Sequence, residues 1–268
     1  MKNTMIPLSE MPDASRQAVR TLFTDIDDTV TTEGRLLSTA YDAMERLQDA
    51  GRQVILVTGR PAGWCDHMAR MWPVDGVVGE NGAFYFRYDH HNRTMERHYA
   101  RPAEQRLNDR ERLNVLAERI LAEVPGCAIA SDQAYREADL AIDFCEDVPA
   151  LPDDQVNLIA QMFEDVGATA KISSIHVNGW FGAYDKLSMS KILMQRSFGR
   201  DLEAEREICV YAGDSPNDSP MFKWFPLSVG VANVRDFEGR LDGEPSYVTQ
   251  GRAGAGFTEL VDFLLSQD

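Results

Sequence analysis

The sequence predicts an α/β fold: a doubly wound parallel-sheet core interrupted by an inserted α+β unit. Three observations predict it. Short apolar runs that read as strands buried on both faces alternate with amphipathic helical stretches along the first 80 or so residues. The pattern then turns into alternating aromatic and polar residues mixed with long charged helices, which suits a separate unit with a half-exposed sheet. After residue 186 or so the buried-strand pattern returns.

The elements follow in order. Residues 20–26 read as a strand that runs into LFTDIDDTV, three aspartates within four residues. Asp is depleted in strands, and clustered carboxylates repel, so this placement points to chemistry rather than stability. Ser38 is expected to cap a helix running to Ala50, with Ala40, Ala43, Met44 and Leu47 on one face and Gly51 as its stop. QVILVT (53–58) is a continuous apolar strand, a helix follows over 61–72 with Pro at its first turn, and DGVVG (75–79) is a third strand. That βαβαβ order predicts parallel pairing. Residues 83–100 read as a hairpin, 104–124 and 153–166 as amphipathic helices, 138–145 as a strand, and 168–178 as a strand pair. Beyond them come a helix over 187–198, the strand EICVYAG (207–213), a short helix near Met221, a strand over 228–231, YVT, and a closing helix over 257–265. The expected organisation is a core over 1–82 and 184–268 with an insert over 83–183.

Composition narrows the function. With 27 Lys and Arg against 43 Asp and Glu, the formal net charge of −16 argues against nucleic acid as a partner, though a small anion needs only a local cationic pocket or a metal. Cys65, Cys127, Cys145 and Cys209 form no C-x-x-C pair and read as free thiols of a reducing compartment. No apolar run reaches the ~18 residues of a membrane span. The first residues lack a signal-peptide core, so a cytoplasmic protein with a short N-terminal arm is expected.

Four polar clusters sit at the expected C-terminal ends of core strands, where ligands of open α/β sheets bind. They are Asp25-Ile26-Asp27-Asp28-Thr29, Thr58-Gly59-Arg60, Tyr184-Asp185-Lys186 and Gly213-Asp214-Ser215-Pro216-Asn217-Asp218. Each alone is weak, the last being ordinary turn chemistry. Their order and shared position make the set specific. An EF-hand reading from Asp25 fails, because Val30 stands where Gly is needed and Leu36 where the bidentate Glu belongs. No Walker A string is present.

The set LFTDIDDTVT, VTGR, the lysine of YDKLSMSK and YAGDSPNDSPMF resembles the haloacid dehalogenase superfamily of phosphohydrolases, from about Thr21 to the last helix. The position of the insert, with VGENGAFY at its entry and SVGVANVRDF and YVTQGRAGAGFTELVDFLL after it, resembles subclass IIB, the group of Cof-type and sucrose-phosphate phosphatases. The resemblance implies a Rossmann-like core, the insert as a cap, and Mg²⁺ as cofactor. It implies Asp25 as the nucleophile that forms an aspartyl-phosphate, and Asp27 as general acid and then base, which calls for a raised pKa. It implies Asp25, Asp214 and the carbonyl of Asp27 as metal ligands, with Asn217 and Asp218 orienting ligands or, for Asp218, ligating. Thr58, Gly59 and a lysine would hold the phosphoryl group. Two lysines compete for that role: Lys186, preceded by the plausible N-cap Asp185, and Lys191, one turn further. Lys186 is the favoured one.

The implied function is hydrolysis of small phosphate monoesters, phosphorylated sugars foremost, with the cap selecting the substrate. A phosphomannomutase-like phosphotransferase and a non-catalytic sugar-phosphate sensor are the alternatives. A carbon–halogen dehalogenase is disfavoured by Asp27 and Asp214. Arg60 is read as a substrate contact or a core brace, Asn81 as a hinge or a residue facing the site, and Asp28 as a solvated turn. His90 and His91 read as surface, His176 as structural with a sugar contact as the alternative, and Trp180 and Phe181 as core with a sugar-stacking platform as the alternative.

Overall fold

The computed structural model describes residues 5–173 and 175–266. In chain order its strands and helices are β1 (Ile6–Pro7), α1 (Asp13–Ala18), β2 (Thr21–Thr24), α2 (Ser38–Asp49), β3 (Gln53–Val57), α3 (Ala62–Met71), β4 (Gly76–Gly79), β5 (Phe84–Asp89) and β6 (Thr94–Tyr99). They continue as α4 (Ala103–Glu123), β7 (Ala128–Ile129), β8 (Leu140–Asp143), α5 (Asp153–Asp165), β9 (Thr169–Ile172), β10 (His176–Trp180), α6 (Lys186–Phe198) and α7 (Leu202–Glu205). The last are β11 (Cys209–Gly213), α8 (Ser219–Trp224), β12 (Leu227–Gly230), β13 (Tyr247–Val248) and α9 (Ala253–Leu265).

The large sheet has the order β1-β13-β12-β11-β2-β3-β4-β5-β6. From β1 to β4 all neighbours are parallel. Period two explains the two-sided burial of this sheet. Leu22, Val54 and Leu56 join one apolar cluster with Met44, Leu47, Phe257 and Leu260 of α2 and α9. Phe23, Ile55 and Val57 point the other way, onto Met189 and Leu193 of α6 and Met221 and Phe222 of α8. Chain order runs outward in both directions from β2, through β3 and β4 on one side and β11 to β13 on the other. The topological switch point therefore lies between β2 and β11, where a doubly wound sheet opens a crevice at its carboxyl ends.

The second sheet, β7-β8-β10-β9, is antiparallel. Leu140, Ile142 and Val177 pack against Leu113, Leu116 and Ile120 of α4 and Ile159 and Phe163 of α5. The other face of β10 carries His176 and Asn178 toward the core crevice. This is the inserted cap.

Several expectations are corrected. The hairpin given to the insert belongs to the large sheet, because β5 pairs antiparallel with β4 through Val77–Phe86 and Gly79–Phe84. Its aromatic residues explain why. Phe84 and Phe86 are buried on one face and Tyr85 on the other, so the hairpin seals the open edge of β4. The insert thus starts after Tyr99 rather than at residue 83. Ser38 is the first helical residue, not the cap, which is Leu37 and lends no side-chain bond. The N-terminal arm docks from residue 6: β1 pairs with β13, and Leu8 and Met11 are buried. Where the two chain crossings meet, Gly82 has φ +106° and a Cβ there would lie 2.1 Å from the Asp185 carbonyl oxygen, so only glycine fits. All four cysteines are thiols, Cys65 and Cys209 fully buried. Among the described residues no helix is long and apolar enough to cross a membrane.

Candidate active site

Each site residue stands where a strand stops. Asp25 is the first residue beyond β2, and its N–H still donates to Ala212 of β11 at 2.9 Å. Asp214 is the first residue beyond β11 and Thr58 the first beyond β3. Parallel neighbours end in register, which puts these three residues at one end of the sheet. Lys186 arrives from across the crevice as the first residue of α6. Asp185 caps that helix, accepting from the Ser188 N–H at 2.7 Å in a capping box.

Lys186 is buried, and its Nζ donates to Asp25 Oδ1 at 2.7 Å and Asp218 Oδ1 at 2.9 Å. Lys191 is outside the crevice, pairing with Glu203 at 2.6 Å on the surface. The structure thus brings Lys186, and not Lys191, to the aspartates. Asp218 is a brace with both oxygens engaged. Oδ1 also accepts from the Tyr211 hydroxyl, and Oδ2 accepts from the N–H groups of Asp214 at 3.0 Å and Ser215 at 3.3 Å. Gly213 is required beneath it, since a Cβ would lie 2.6 Å from Asp218 Oδ2. Asp214 is held more lightly, by Thr29 Oγ1 at 3.3 Å and Asn233 Nδ2 at 3.0 Å. Asn217 lines the crevice and accepts from Ser215 Oγ at 2.8 Å.

Asp25, Asp214 and Asp218 each offer a carboxylate oxygen, all within 4.8 Å of one another, and all three residues are buried. The single ammonium of Lys186 leaves the group with excess negative charge. Burial pushes the Asp25 carboxyl up to about 7, against Lys186 and with Asp218 and Asp27. Burial, and then Asp218, Asp25 and Asp28, raise Asp214 as well. An all-oxygen, anionic, buried donor set of this kind fits a hard divalent cation such as Mg²⁺.

That charge imbalance has a measurable consequence. Between the unfolded value near 4 and about 7, the folded, metal-free protein binds a proton at Asp25 that the unfolded chain releases. Stability contributed there is present below the unfolded pKa and lost as pH rises through about 7. Cation binding should offset the loss. A free Mg²⁺ concentration ~100 times Kd adds about 2.7 kcal/mol, which at ~2–4 °C per kcal/mol raises the melting temperature by roughly 5–10 °C. Thermal melts with Mg²⁺ or EDTA should show a larger difference at about pH 8 than at about pH 5. Equal differences at both would refute the cation site.

Asp27 turns away from this cluster. Its oxygens lie 2.9 and 3.0 Å from Arg60 Nε, a charge-assisted contact. Thr58 is fully buried, and its Oγ1 accepts from the Arg60 N–H at 3.0 Å. Asn81, left-handed at φ +55°, packs its side chain against Gly59 and donates its N–H to the Thr58 carbonyl at 3.0 Å. It braces the Thr58 loop. Asp28 is half-buried, and its carbonyl accepts from Asn233 at 2.9 Å.

The cap roofs the crevice. The cleft is lined by Asp25, Asp27, Arg60, Arg136, His176 and Asn178 among others. His176 faces it with Nε2 2.9 Å from Glu146 Oε2. The His176 contact and then Arg60 hold the Glu146 carboxyl down to about 2, against its burial. Trp180 and Phe181 are buried as expected. Asn233, Glu80 and Arg136 are among the residues that escaped the sequence reading. Asn233 had a signal within VANVRDF, and Glu80 within GENGAFY. Arg136 had none: it is one arginine in a charged stretch, and only the fold brings it to the crevice.

This fold and this cluster define an α/β protein with an acid-rich site under a cap. The chain is similar to the haloacid dehalogenase-like hydrolases over its first part, and its fold is similar to solved structures over nine-tenths of its length. The sequence profile of the haloacid dehalogenase-like hydrolases matches residues 22–108. A phosphoglycolate phosphatase of Methanoculleus marisnigri is 28% identical over 245 residues, covering 91% of this chain and 95% of that protein. Among solved structures, a Thermoplasma acidophilum protein superposes with a TM-score of 0.67 at 19% identity, covering 92% of this chain and 98% of its own. The sucrose-phosphatase of Synechocystis, solved with sucrose and phosphate, gives 0.62 at 15% identity, covering 92% and 99%. At those identities the two structures speak for the fold.

Proposed function

We propose that the protein hydrolyses small phosphate monoesters through an aspartyl-phosphate on Asp25. The observation that carries this reading is the convergence of Asp25, Lys186, Asp214 and Asp218 at the switch point, beneath a cap. Asp25 Oδ attacks phosphorus while Asp27 delivers a proton to the departing ester oxygen. Water then attacks phosphorus, the bond to Asp25 breaks, and Asp27 takes the water proton. Lys186 and the Thr58–Gly59 loop hold the transferring oxygens. Asp25 and Asp214, with Asp218 as brace, would hold Mg²⁺, which when bound supplies charge stabilisation to the phosphoryl group. The cap limits access to small molecules and excludes bulk water.

Sugar phosphates are the favoured substrates. Both arginines lining the cleft are already paired with protein carboxylates: Arg60 with Asp27, Glu146 and Asp132, and Arg136 with Asp132 and Asp139. What faces a leaving group is Ser173, His176 and Asn178, a set suited to hydroxyls rather than to a carboxylate. The name of the Methanoculleus relative favours a second reading, phosphoglycolate. A panel of sugar phosphates, 2-phosphoglycolate, phosphoglycerates and nucleotides, assayed with Mg²⁺ for released phosphate, tests both. Expected is turnover of at least one sugar phosphate with kcat/KM ~10-fold or more above 2-phosphoglycolate, one unpaired polar contact being enough for that ratio. Isomerisation without phosphate release would instead support a mutase, and no turnover across the panel a sensor.

A further inference from the structure

We propose that Arg60 is a positioning residue for Asp27 and that the cap sets it, so that hydrolysis of the phosphoenzyme depends on a seated cap. This rests on the aspartyl-phosphate reading above.

Arg60 is 5% exposed and lies between two domains. On the core side its Nε reaches both Asp27 oxygens and its Nη2 lies 2.8 Å from Asp27 Oδ1. On the cap side Nη2 donates to Glu146 at 3.0 Å, and Nη1 lies 3.5 Å from Asp132 Oδ2. Trp64 supports the guanidinium from beneath, 4.6 Å from ring centre to Cζ. Three carboxylates around one guanidinium exceed what its charge needs. A buried ion pair is weak evidence for stability in any case, so the surplus suggests aim rather than stability.

The cap partners are themselves fixed to the loop that carries Arg60. Arg136 grips Asp132 through Nε at 2.9 Å and Nη2 at 3.0 Å, and its Nη1 donates to the Gly59 carbonyl at 2.9 Å. Glu80, a buried core residue, accepts the N–H groups of cap residues Glu137, Ala138 and Asp139, and also that of Ala62 at the start of α3. Seating the cap therefore orders residues 59–62 and the two carboxylates that hold the far side of Arg60. The substrate-facing cap residues are tied in as well: His176 contacts Glu146, and Asn178 donates to Asp139 at 3.1 Å.

The half-reaction that needs an oriented, ionised Asp27 is the second. Water oxygen bonds to phosphorus, the phosphorus–Asp25 oxygen bond breaks with its electrons returning to the Asp25 carboxylate, and the water proton passes to Asp27. Arg60 exchanges no atom. It occupies both Asp27 oxygens in a fork, which fixes the remaining lone pairs toward the crevice. Loss of such alignment by about 1 Å costs ~10²-fold.

p-Nitrophenyl phosphate separates the halves, because its leaving group departs without protonation and its release does not need Asp27. With Arg60→Gln, rapid mixing with Mg²⁺ present should give a near-stoichiometric burst of nitrophenol and then a steady rate ~10²-fold below wild type. kcat/KM, which reports only the steps through phosphoenzyme formation, should stay within about threefold. Asp132→Asn, which leaves Asp27 and Arg60 in place, should give the same pattern with kcat ~10-fold down. A purely structural role would lower burst, kcat and kcat/KM together in both variants, and that result overturns the proposal, as does wild-type kcat in both. A wild type that forms no phosphoenzyme overturns the aspartyl-phosphate reading itself and this inference with it.

Discussion

Asp25→Asn is expected to lower phosphate release by ~10⁴-fold or more, the scale on which nucleophile removal acts. The amide keeps the size of the carboxylate but has neither its charge nor its nucleophilic oxygen. The fold should tolerate it. Asp218 still accepts from Lys186 at 2.9 Å, so the ammonium keeps one buried partner, and the repulsion among Asp25, Asp214 and Asp218 is relieved. The variant should therefore melt at or above the wild-type temperature when Mg²⁺ is absent. The acid-stable, hydroxylamine-sensitive phosphoenzyme expected of the wild type should be absent from the variant. Wild-type turnover, or a phosphoenzyme that persists in the variant, would break the assignment of Asp25.

Asp27→Asn is the second large effect, a fall of ~10²–10⁴-fold, the contribution of a placed acid–base group. Its signature differs from that of Asp25→Asn. The Asp27 carboxylate points to Arg60, not into the carboxylate cluster, so the Mg²⁺-dependent rise in melting temperature should survive unchanged. Arg60 keeps Glu146 and Asp132 as partners and is not left as a buried orphan charge. A quenched time course should show both formation and decay of the phosphoenzyme slowed for an alkyl phosphate, with decay alone slowed for an aryl phosphate. Loss of the Mg²⁺ response would move Asp27 into the metal site and overturn this division of roles.

Asp25 and Asp27 illustrate what local sequence can carry. Two-residue spacing at the end of a strand gave both their location and their common loop, but not that one faces Lys186 and the other Arg60. That split arises because β2 stops at Thr24 and the loop beyond it is free of the ladder. The Asp185 cap favoured Lys186 over Lys191, and the crevice agrees. Both lie on α6, and only the first residue of that helix reaches Asp25. The sequence left His176 between a structural role and a sugar contact, because its partner, Glu146, is 30 residues away. The hairpin over β5 and β6 was legible as a hairpin, while its attachment to β4 depended on burial of Phe84, Tyr85 and Phe86 against helices from both ends of the chain.

By itself the sequence determined the elements whose cause is local: apolar runs for parallel strands, amphipathic periods for helices, Asp185 as a cap, and carboxylate clusters where strands end. The tertiary structure decided whatever depends on pairing at a distance. It brought the ends of β2, β3 and β11 together at one switch point, put Asp218 under Lys186 rather than in solvent, and set cap residues Asp132, Arg136 and Glu146 around Arg60. The physical reason is that side-chain pattern fixes which face of an element is buried, whereas the long-range packing of those faces selects which charged groups meet across the cleft between core and cap.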